Sequence, residues 1–177
     1  MQINNVDFDP NLHEQYKCLS VPQPIADWLT KIDYMDEVGE CHAKKEVDIR
    51  TRNIKYRGDV LICSAKQPEV AGYDCGVTLG LVELYDVKRV SDFTEEDWQM
   101  TALPRSEWTR KTGFGYFFRN PRPVVEMPVK GMLGLYKITL PKGDITPYPR
   151  YLEVGEREWK KINRKISQKK INKMFAN

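Results

Sequence analysis

The sequence lacks the segments that would place a protein in a membrane or direct it to secretion. Its longest apolar runs are far shorter than the roughly 20 residues that span a bilayer. The N-terminal stretch MQINNVDFDPN is acidic and has no apolar region of a secretion signal. The four cysteines stand in no CxxC pair. These absences predict a cytoplasmic protein with reduced thiols and no membrane partner.

The usual catalytic signatures are mostly missing as well. There is no GxSxG, no P-loop, no HExxH and no Gly-rich dinucleotide fingerprint. His13 and His42 are the only histidines, and the adjacent Cys41 and His42 lack a second pair of metal ligands. We therefore expect no metal and no cofactor, with Cys41 and His42 in a polar loop.

What is present suffices for one folded domain with a basic tail. Of the 177 residues, 41% are hydrophobic, and four Trp, nine Tyr and six Phe supply large side chains for a core. The net charge is only +3, but residues 141–177 contain ten Lys or Arg against four Asp or Glu. In this tail Trp159, Ile162 and Ile166 indicate a helix with one narrow apolar face. The helix either docks on the domain or binds nucleic acid.

Short apolar segments separated by Pro and Gly predict an α+β fold. PIADWLTKI has helical spacing, SDFTEEDWQM carries a helix start signal, and the polar segment 33–44 is expected to be a loop. DVLICSA and GVTLGLVELYDV indicate strands that are covered on both faces. Further strands are predicted in YKCLSV, GYFFRNP, PVVEMPV and LGLYKI. The expected architecture is a small mixed β-barrel with a helix packed on it and a basic C-terminal helix.

The segment AKKEVDIRTRNIKYRGDVLICSA, residues 43–65, raises the question of function. If its first part is an extended strand, Glu46, Asp48, Arg50 and Arg52 share one face, and the intervening apolar residues share the other. This ladder of opposite charges is either a solvent-facing strand with weak ion pairs or the polar floor of a cleft. Spacing alone favours the solvent-facing strand.

Four motifs together resemble the ASCH domain, a PUA-like β-barrel family. They are LSVPQP at 19–24, KEVDIRTRNIKYRGDVLICSA at 45–65, GLVELYDV at 80–87 and FFRNPRPVVEMPVKGMLGLYKI at 117–138. The family signature GxKxxExR falls on Ala43, Lys45, Asp48 and Arg50, with alanine for the glycine and aspartate for the central Glu or Thr. The resemblance divides the chain into an N-terminal extension at 1–15, an ASCH domain at 16–140 and a basic helical extension at 141–177.

The resemblance implies a cleft that binds RNA or a nucleotide. Lys45, Asp48 and Arg50 would line this cleft, with Ser20 and Gln23 from the first loop nearby. Cations on one wall contact phosphates, and arginine also stacks on a base or binds it through two donors. The positive run continues toward the barrel rim through Arg52, Lys55 and Arg57. The aromatic residues that could stack on an unpaired base are Tyr56, Tyr116 and Trp108.

The resemblance also leaves two other classes of function open. One ASCH branch hydrolyses N4-acetylcytidine with Lys, Thr and Glu, and ribonuclease activity is associated with other members. As a hydrolase this chain would use Lys45, Asp48 and Glu83, with Asp48 in place of the Thr hydroxyl. Glu83 is chosen because an apolar strand is expected to bury it, which would raise the pKa of a general base. The third class is a protein-interaction adaptor, since the family occurs in a transcription cointegrator. RNA or nucleotide binding is the favoured prediction.

Overall fold

Eight strands and two α-helices make up the described part of the chain. The computed structural model describes residues 8–148 and 150–152, so the predicted C-terminal helix and most of the N-terminal extension lie outside it. The elements are β1 His13–Val21, α1 Ile25–Thr30, β2 Ile32–Met35, β3 Cys41–Ala43, β4 Val47–Arg50, β5 Gly58–Ser64, β6 Thr78–Arg89, α2 Glu95–Met100, β7 Phe114–Pro123 and β8 Leu135–Pro141.

Six of the strands form one mixed sheet in the order β4-β7-β6-β5-β1-β8. β1 and β5 run parallel, and the other neighbouring pairs run antiparallel. In a flat sheet β4 and β1 would lie about 19 Å apart, at about 4.8 Å per strand. An Arg50 nitrogen in β4 nevertheless lies 3.2 Å from the Ser20 carbonyl oxygen in β1, so the sheet must curl strongly.

The predicted α+β class with a mixed barrel-like sheet is therefore confirmed, with one refinement. Among the described strands, β4 and β8 are edges and do not pair with each other, so the sheet is a half-barrel and is not closed by hydrogen bonds. The first predicted helix is α1, and it packs against β5, β6 and β7. Its Ala26 and Leu29 side chains are buried in the core.

β5 is buried on both faces, as the apolar run DVLICSA predicts. Val60 and Ile62 pack in the cluster that α1 covers, whereas Leu61 and Cys63 pack in a second cluster with residues of β8. Full burial of such aliphatic side chains stabilises a fold by about 1.5–3 kcal/mol each. β6 does not share this character along its length, because its positions from 81 onward alternate between half-buried and buried up to Leu84.

Two expectations about local structure are wrong. The segment 33–44 contains most of a hairpin of β2 and β3, and is not simply a loop. The Asp36 carboxylate accepts hydrogen bonds from the backbone N–H groups of Val38 and Glu40, and Gly39 adopts φ +87°, which together form the turn. PVVEMPV beyond its first residue forms only isolated bridges, since its second proline offers no N–H to a ladder.

The predicted helix start at SDFTEEDWQM is present in α2. Thr94 is the N-cap, and its hydroxyl accepts a hydrogen bond from the Asp97 N–H while the Asp97 carboxylate accepts one from the Thr94 N–H. This reciprocal pair satisfies two backbone donors that the first turn would leave unpaired. α2 ends at Met100, whose carbonyl accepts a hydrogen bond from the Glu46 N–H, and the next carbonyl, of Thr101, accepts one from the Lys45 ammonium group.

Candidate functional site

A cleft of about 760 Å³ opens beside β4. One wall is apolar and comes from β1, the start of α1 and the start of β8. Its residues are Leu19, Val21, Pro22, Ile25 and Leu135. The opposite wall is polar and comes from β4, the segment after it and the segment before β7. Its residues include Asp48, Arg50, Arg52, Asn53 and Arg110. Three guanidinium groups and one carboxylate thus face an apolar surface.

Arg50 and Asp48 form the fixed part of the polar wall. The Arg50 Nε donates to Asp48 Oδ2 at 3.0 Å, and its Nη2 donates to the Ser20 carbonyl oxygen at 3.2 Å. Asp48 is 8% exposed, so its carboxylate is held in place with little contact with water. Charge-assisted hydrogen bonds of this kind are stronger than neutral ones and orient the guanidinium plane. The two residues share a face of β4, as the alternation of the sequence predicts.

Lys45 is not part of the cleft wall. Its ammonium group is buried, lies 3.9 Å from Asp48 Oδ1 and donates to the Thr101 carbonyl oxygen at 2.6 Å. Thr101 is the C-cap of α2, where carbonyl groups lack helical partners and accept bonds from lysine. Burial lowers the pKa of Lys45, and Asp48 opposes that shift. The structure thus brings Lys45, Asp48 and Arg50 together, with Lys45 behind Asp48.

Arg52 and Arg110 are cations of the cleft whose guanidinium groups make no hydrogen bond or ion pair with the described residues. Both are exposed, and neither guanidinium has a hydrogen-bond or ion-pair partner within residues 8–148 and 150–152. Sequence reasoning identified Arg52 and missed Arg110, which lies far from β4 along the chain. The pairing of Arg50 with Phe114 brings the start of β7 beside the end of β4, and Arg110 just precedes that start.

The remaining predicted binding residues lie elsewhere. Gln23 is buried, donates to Asp27 Oδ1 at 3.0 Å and accepts from the Asp27 N–H, so it holds the start of α1. Ser20 contributes its backbone carbonyl to Arg50 and shares a hydrogen bond of 3.0 Å with the Tyr136 hydroxyl. Lys55 and Arg57 are exposed and outside the cleft lining, and the Arg57 guanidinium donates back to two backbone carbonyls of its own segment.

One of the three predicted stacking residues reaches the cleft. Tyr116 lines it and donates its hydroxyl to the Arg52 carbonyl oxygen at 2.6 Å, but the residue is only 3% exposed. Trp108 stacks on Trp98, away from the cleft, and Tyr56 donates to the Asp59 carbonyl oxygen. The surface left for a base is therefore the part of the apolar wall that is not buried, at Pro22, Ile25 and Leu135.

Glu83 is not buried as expected. Val82 and Leu84 occupy the core, and Glu83 alternates to the other face of β6, where its side chain is 35% exposed. Arg119 binds this carboxylate with two hydrogen bonds of 2.8 and 3.0 Å. The hydrogen bonds from Arg119 lower the pKa of Glu83. This environment does not provide the raised pKa on which its selection as a general base rested.

The hairpin holds a second group of polar side chains. His42 lies in β3, with Nε2 2.8 Å from Asp36 Oδ2 and Nδ1 3.1 Å from Glu46 Oε1, and its ring stacks on Tyr34. Asp36, Glu40 and His42 each offer one atom of a kind that binds metal ions, and these three atoms lie within 4.8 Å of one another. Both ring nitrogens face carboxylates, which is the arrangement of a protonated histidine. Burial opposes this state, but the two carboxylates outweigh burial and raise the pKa of His42.

The fold and the cleft define a class: an α+β half-barrel with an arginine-lined opening between its edges. The chain is similar to the crystal structure of ASCH from Zymomonas mobilis, with 12% identity and a TM-score of 0.46, over 86% of this chain and 96% of that one. It is also similar to the crystal structure of a tyrosine-to-phenylalanine mutant of the same bacterium's ASCH protein, with 11% identity and a TM-score of 0.45, over 64% and 75%. Both likenesses concern the fold alone.

No family model and no curated protein matches the chain. None of the helices in the described ranges is long and apolar enough to cross a membrane.

Proposed function

We propose that the cleft binds single-stranded RNA or a nucleotide. The observation that carries this proposal is the pair of exposed guanidinium groups of Arg52 and Arg110, which face the cleft without a side-chain partner in the described part of the chain. Guanidinium groups bind phosphate through two parallel hydrogen bonds. Two such groups at one opening suit a ligand with negative charge along its backbone.

The rest of the cleft suits the base of such a ligand. The part of the apolar wall that is not buried, at Pro22, Ile25 and Leu135, offers a surface against which an unpaired base can pack. Asp48 presents a carboxylate that Arg50 already orients, and carboxylates accept hydrogen bonds from the amino groups of bases. Phosphate contacts at the rim and base contacts on the walls are the two parts of nucleic-acid recognition.

The test is the binding of a labelled ten-nucleotide single-stranded RNA, measured by fluorescence anisotropy at several salt concentrations. Arg52→Gln and Arg110→Gln should each raise the Kd about five- to tenfold and reduce the salt slope by about 1. Arg89→Gln is the matched control, because Arg89 is an exposed arginine outside the cleft lining. Equal Kd values for all three variants would reject the cleft as the RNA site.

No contact among the described residues favours the two alternatives. A hydrolase would need a free general base at the cleft. The Glu83 carboxylate is bound by Arg119 on the other face of β6, and the Asp48 carboxylate in the cleft is already bound by Arg50. Glu46 has a raised pKa because it is buried, but it lines a space of only about 10 Å³. The cytoplasmic location rests on the sequence alone.

A further inference from the structure

A second cleft, of about 1030 Å³, adjoins the first. It lies between the loops that follow β5 and precede β8, and it is lined by Lys66 and Gln67 on one side and by Val129, Lys130 and Met132 on the other. Small-molecule sites usually measure about 300–1,000 Å³. Each of the two clefts is therefore as large as a complete site for a small ligand.

The two clefts share Leu133 in their linings, and Ser20 of the second cleft is hydrogen-bonded to Arg50 of the first. The Ser20 carbonyl accepts the bond from Arg50 at the first cleft, while the residue itself lines the second. Leu133 lines both clefts and is 99% exposed, so it does not seal one from the other. A Cβ atom on Gly131 would lie 2.7 Å from the Ser20 Oγ, so the absence of a side chain there keeps the junction open.

The charge of the second cleft continues that of the first. Lys66 and Lys130 are exposed, and no hydrogen bond or ion pair occupies either ammonium group within the described ranges. The exposed apolar side chains of Met132 and Leu133 line the same cleft, and Leu133 also lines the first. A positively charged groove follows the backbone of a single strand, and the apolar side chains here give its bases a surface to pack against.

We propose that the two clefts form one continuous groove for a single-stranded nucleic acid. This inference rests on the proposed function and extends it: the ligand is a strand, because a mononucleotide fills one cleft only. Nucleotides in the first cleft contact Arg52 and Arg110, the strand passes Leu133, and later nucleotides contact Lys66 and Lys130. The charge of the second cleft favours this ligand over an apolar peptide.

The first experiment compares uridine monophosphate with uridine oligonucleotides of two to twelve residues. Affinity should rise with length and level off once the strand spans both clefts. The double variant Lys66→Gln/Lys130→Gln should weaken binding of the twelve-residue strand about tenfold at low salt and leave the Kd of the mononucleotide unchanged. Lys137→Gln/Lys142→Gln removes the same charge at exposed positions outside both clefts and should change neither.

A second variant tests whether the strand passes the junction between the clefts, without changing any charge. Gly131→Val adds bulk at the junction and alters no charge, so it should weaken the long strand about tenfold and spare the mononucleotide; circular dichroism confirms that it folds. Equal affinity for all lengths, or unchanged strand affinity in the double lysine variant, would overturn the groove and leave the first cleft intact. Absence of binding by every nucleotide and strand would overturn the proposed function as well. If the double lysine variant loses more affinity for an acidic peptide than for the RNA strand, the groove is overturned and the second cleft is a protein-binding site.

Discussion

Arg50 joins two strands that have no backbone pairing with each other, because its Nη2 donates to the carbonyl oxygen of Ser20 at 3.2 Å. Asp48 holds the same guanidinium through Nε at 3.0 Å. One side chain therefore connects the edge strand β4 to β1 across the opening of the half-barrel. The geometry needs a planar group with donors in two directions, which arginine has and lysine lacks.

Arg50→Lys should destabilise the protein by about 1–2 kcal/mol, because a single ammonium group cannot reach both acceptors in the same geometry. Urea unfolding followed by tryptophan fluorescence measures this change. Arg52→Lys is the control, since the Arg52 guanidinium bridges no pair of described residues, and it should stay within about 0.5 kcal/mol. Equal stability of both variants would show that the hydrogen bond from Arg50 to Ser20 does not contribute to the free energy of unfolding.

Lys45→Met should lower stability by about 2–3 kcal/mol, because it leaves the Thr101 carbonyl unsatisfied and removes a buried cation from Asp48. Thermal unfolding detects the loss, and Lys55→Met at an exposed position serves as control. The same variant should weaken RNA binding less than Arg52→Gln does, since the Lys45 ammonium group does not line the cleft. If Lys45→Met weakens RNA binding more than Arg52→Gln does, Lys45 takes part in binding directly.

Gly115→Ala should destabilise the protein by about 1–3 kcal/mol, as overpacked cores do. A Cβ atom at this position of β7 would lie 2.2 Å from an atom of the Phe93 ring, and Phe93 in turn packs edge-on against Trp98 and Phe117. Phe93→Leu in the same chain should recover part of the loss, and chemical unfolding of both single variants and the double variant gives the coupling energy. Simple additivity would exclude the ring as the cause.

The hairpin should lose stability as the pH rises through the folded-state pKa of His42. That pKa is raised above the ordinary value of about 6.5, so the folded state binds the proton more tightly than the unfolded state does. The contribution is complete below pH 6.5 and disappears above the folded pKa; it should not exceed about 1 kcal/mol for a partly exposed pair.

The measurement for His42 is urea unfolding between pH 6 and pH 8.5. His42→Phe retains a ring to stack on Tyr34 and has no proton to lose, so it is the control. The stability of the wild type relative to this variant should fall across the range. A constant difference would mean that the proton on His42 is not linked to folding.

Glu83→Gln should change stability by less than about 1 kcal/mol, because the carboxylate and Arg119 form an exposed pair. Incubation of wild type and variant with N4-acetylcytidine and short RNAs tests its predicted catalytic role. We expect no activity that depends on Glu83. Turnover by the wild type that Glu83→Gln abolishes would revive the hydrolase hypothesis.

Much of the fold could be predicted from local patterns. The run DVLICSA marks β5 as a strand buried on both faces, and Ser91 or Thr94 followed by acids predicts a helix start, which the structure has at Thr94. The hairpin of β2 and β3 was not predicted because its polar sequence resembles a loop. Its turn depends on the Asp36 side chain, which accepts hydrogen bonds from backbone N–H groups. The half-barrel could not be distinguished from a closed barrel, because strand order depends on long-range pairing.

The site was predictable to the extent that it lies on one strand. Alternation and the family motif identify Asp48 and Arg50 as neighbours on one face. Arg110 was missed because only the pairing of β4 with β7 brings it to the cleft. Lys45 occupies a motif position, but its side chain turns toward the Thr101 carbonyl at the end of α2. No local sequence pattern reveals this contact.

An open sheet has exposed edges, and these edges are where proteins aggregate by strand addition. β4 limits this risk because it has only four residues and ends in arginine, whose side chain occupies the space beside it. The charged residues of β4 therefore also oppose self-association through this edge. A variant that replaces Asp48 and Arg50 with apolar side chains should therefore associate more readily through the β4 edge.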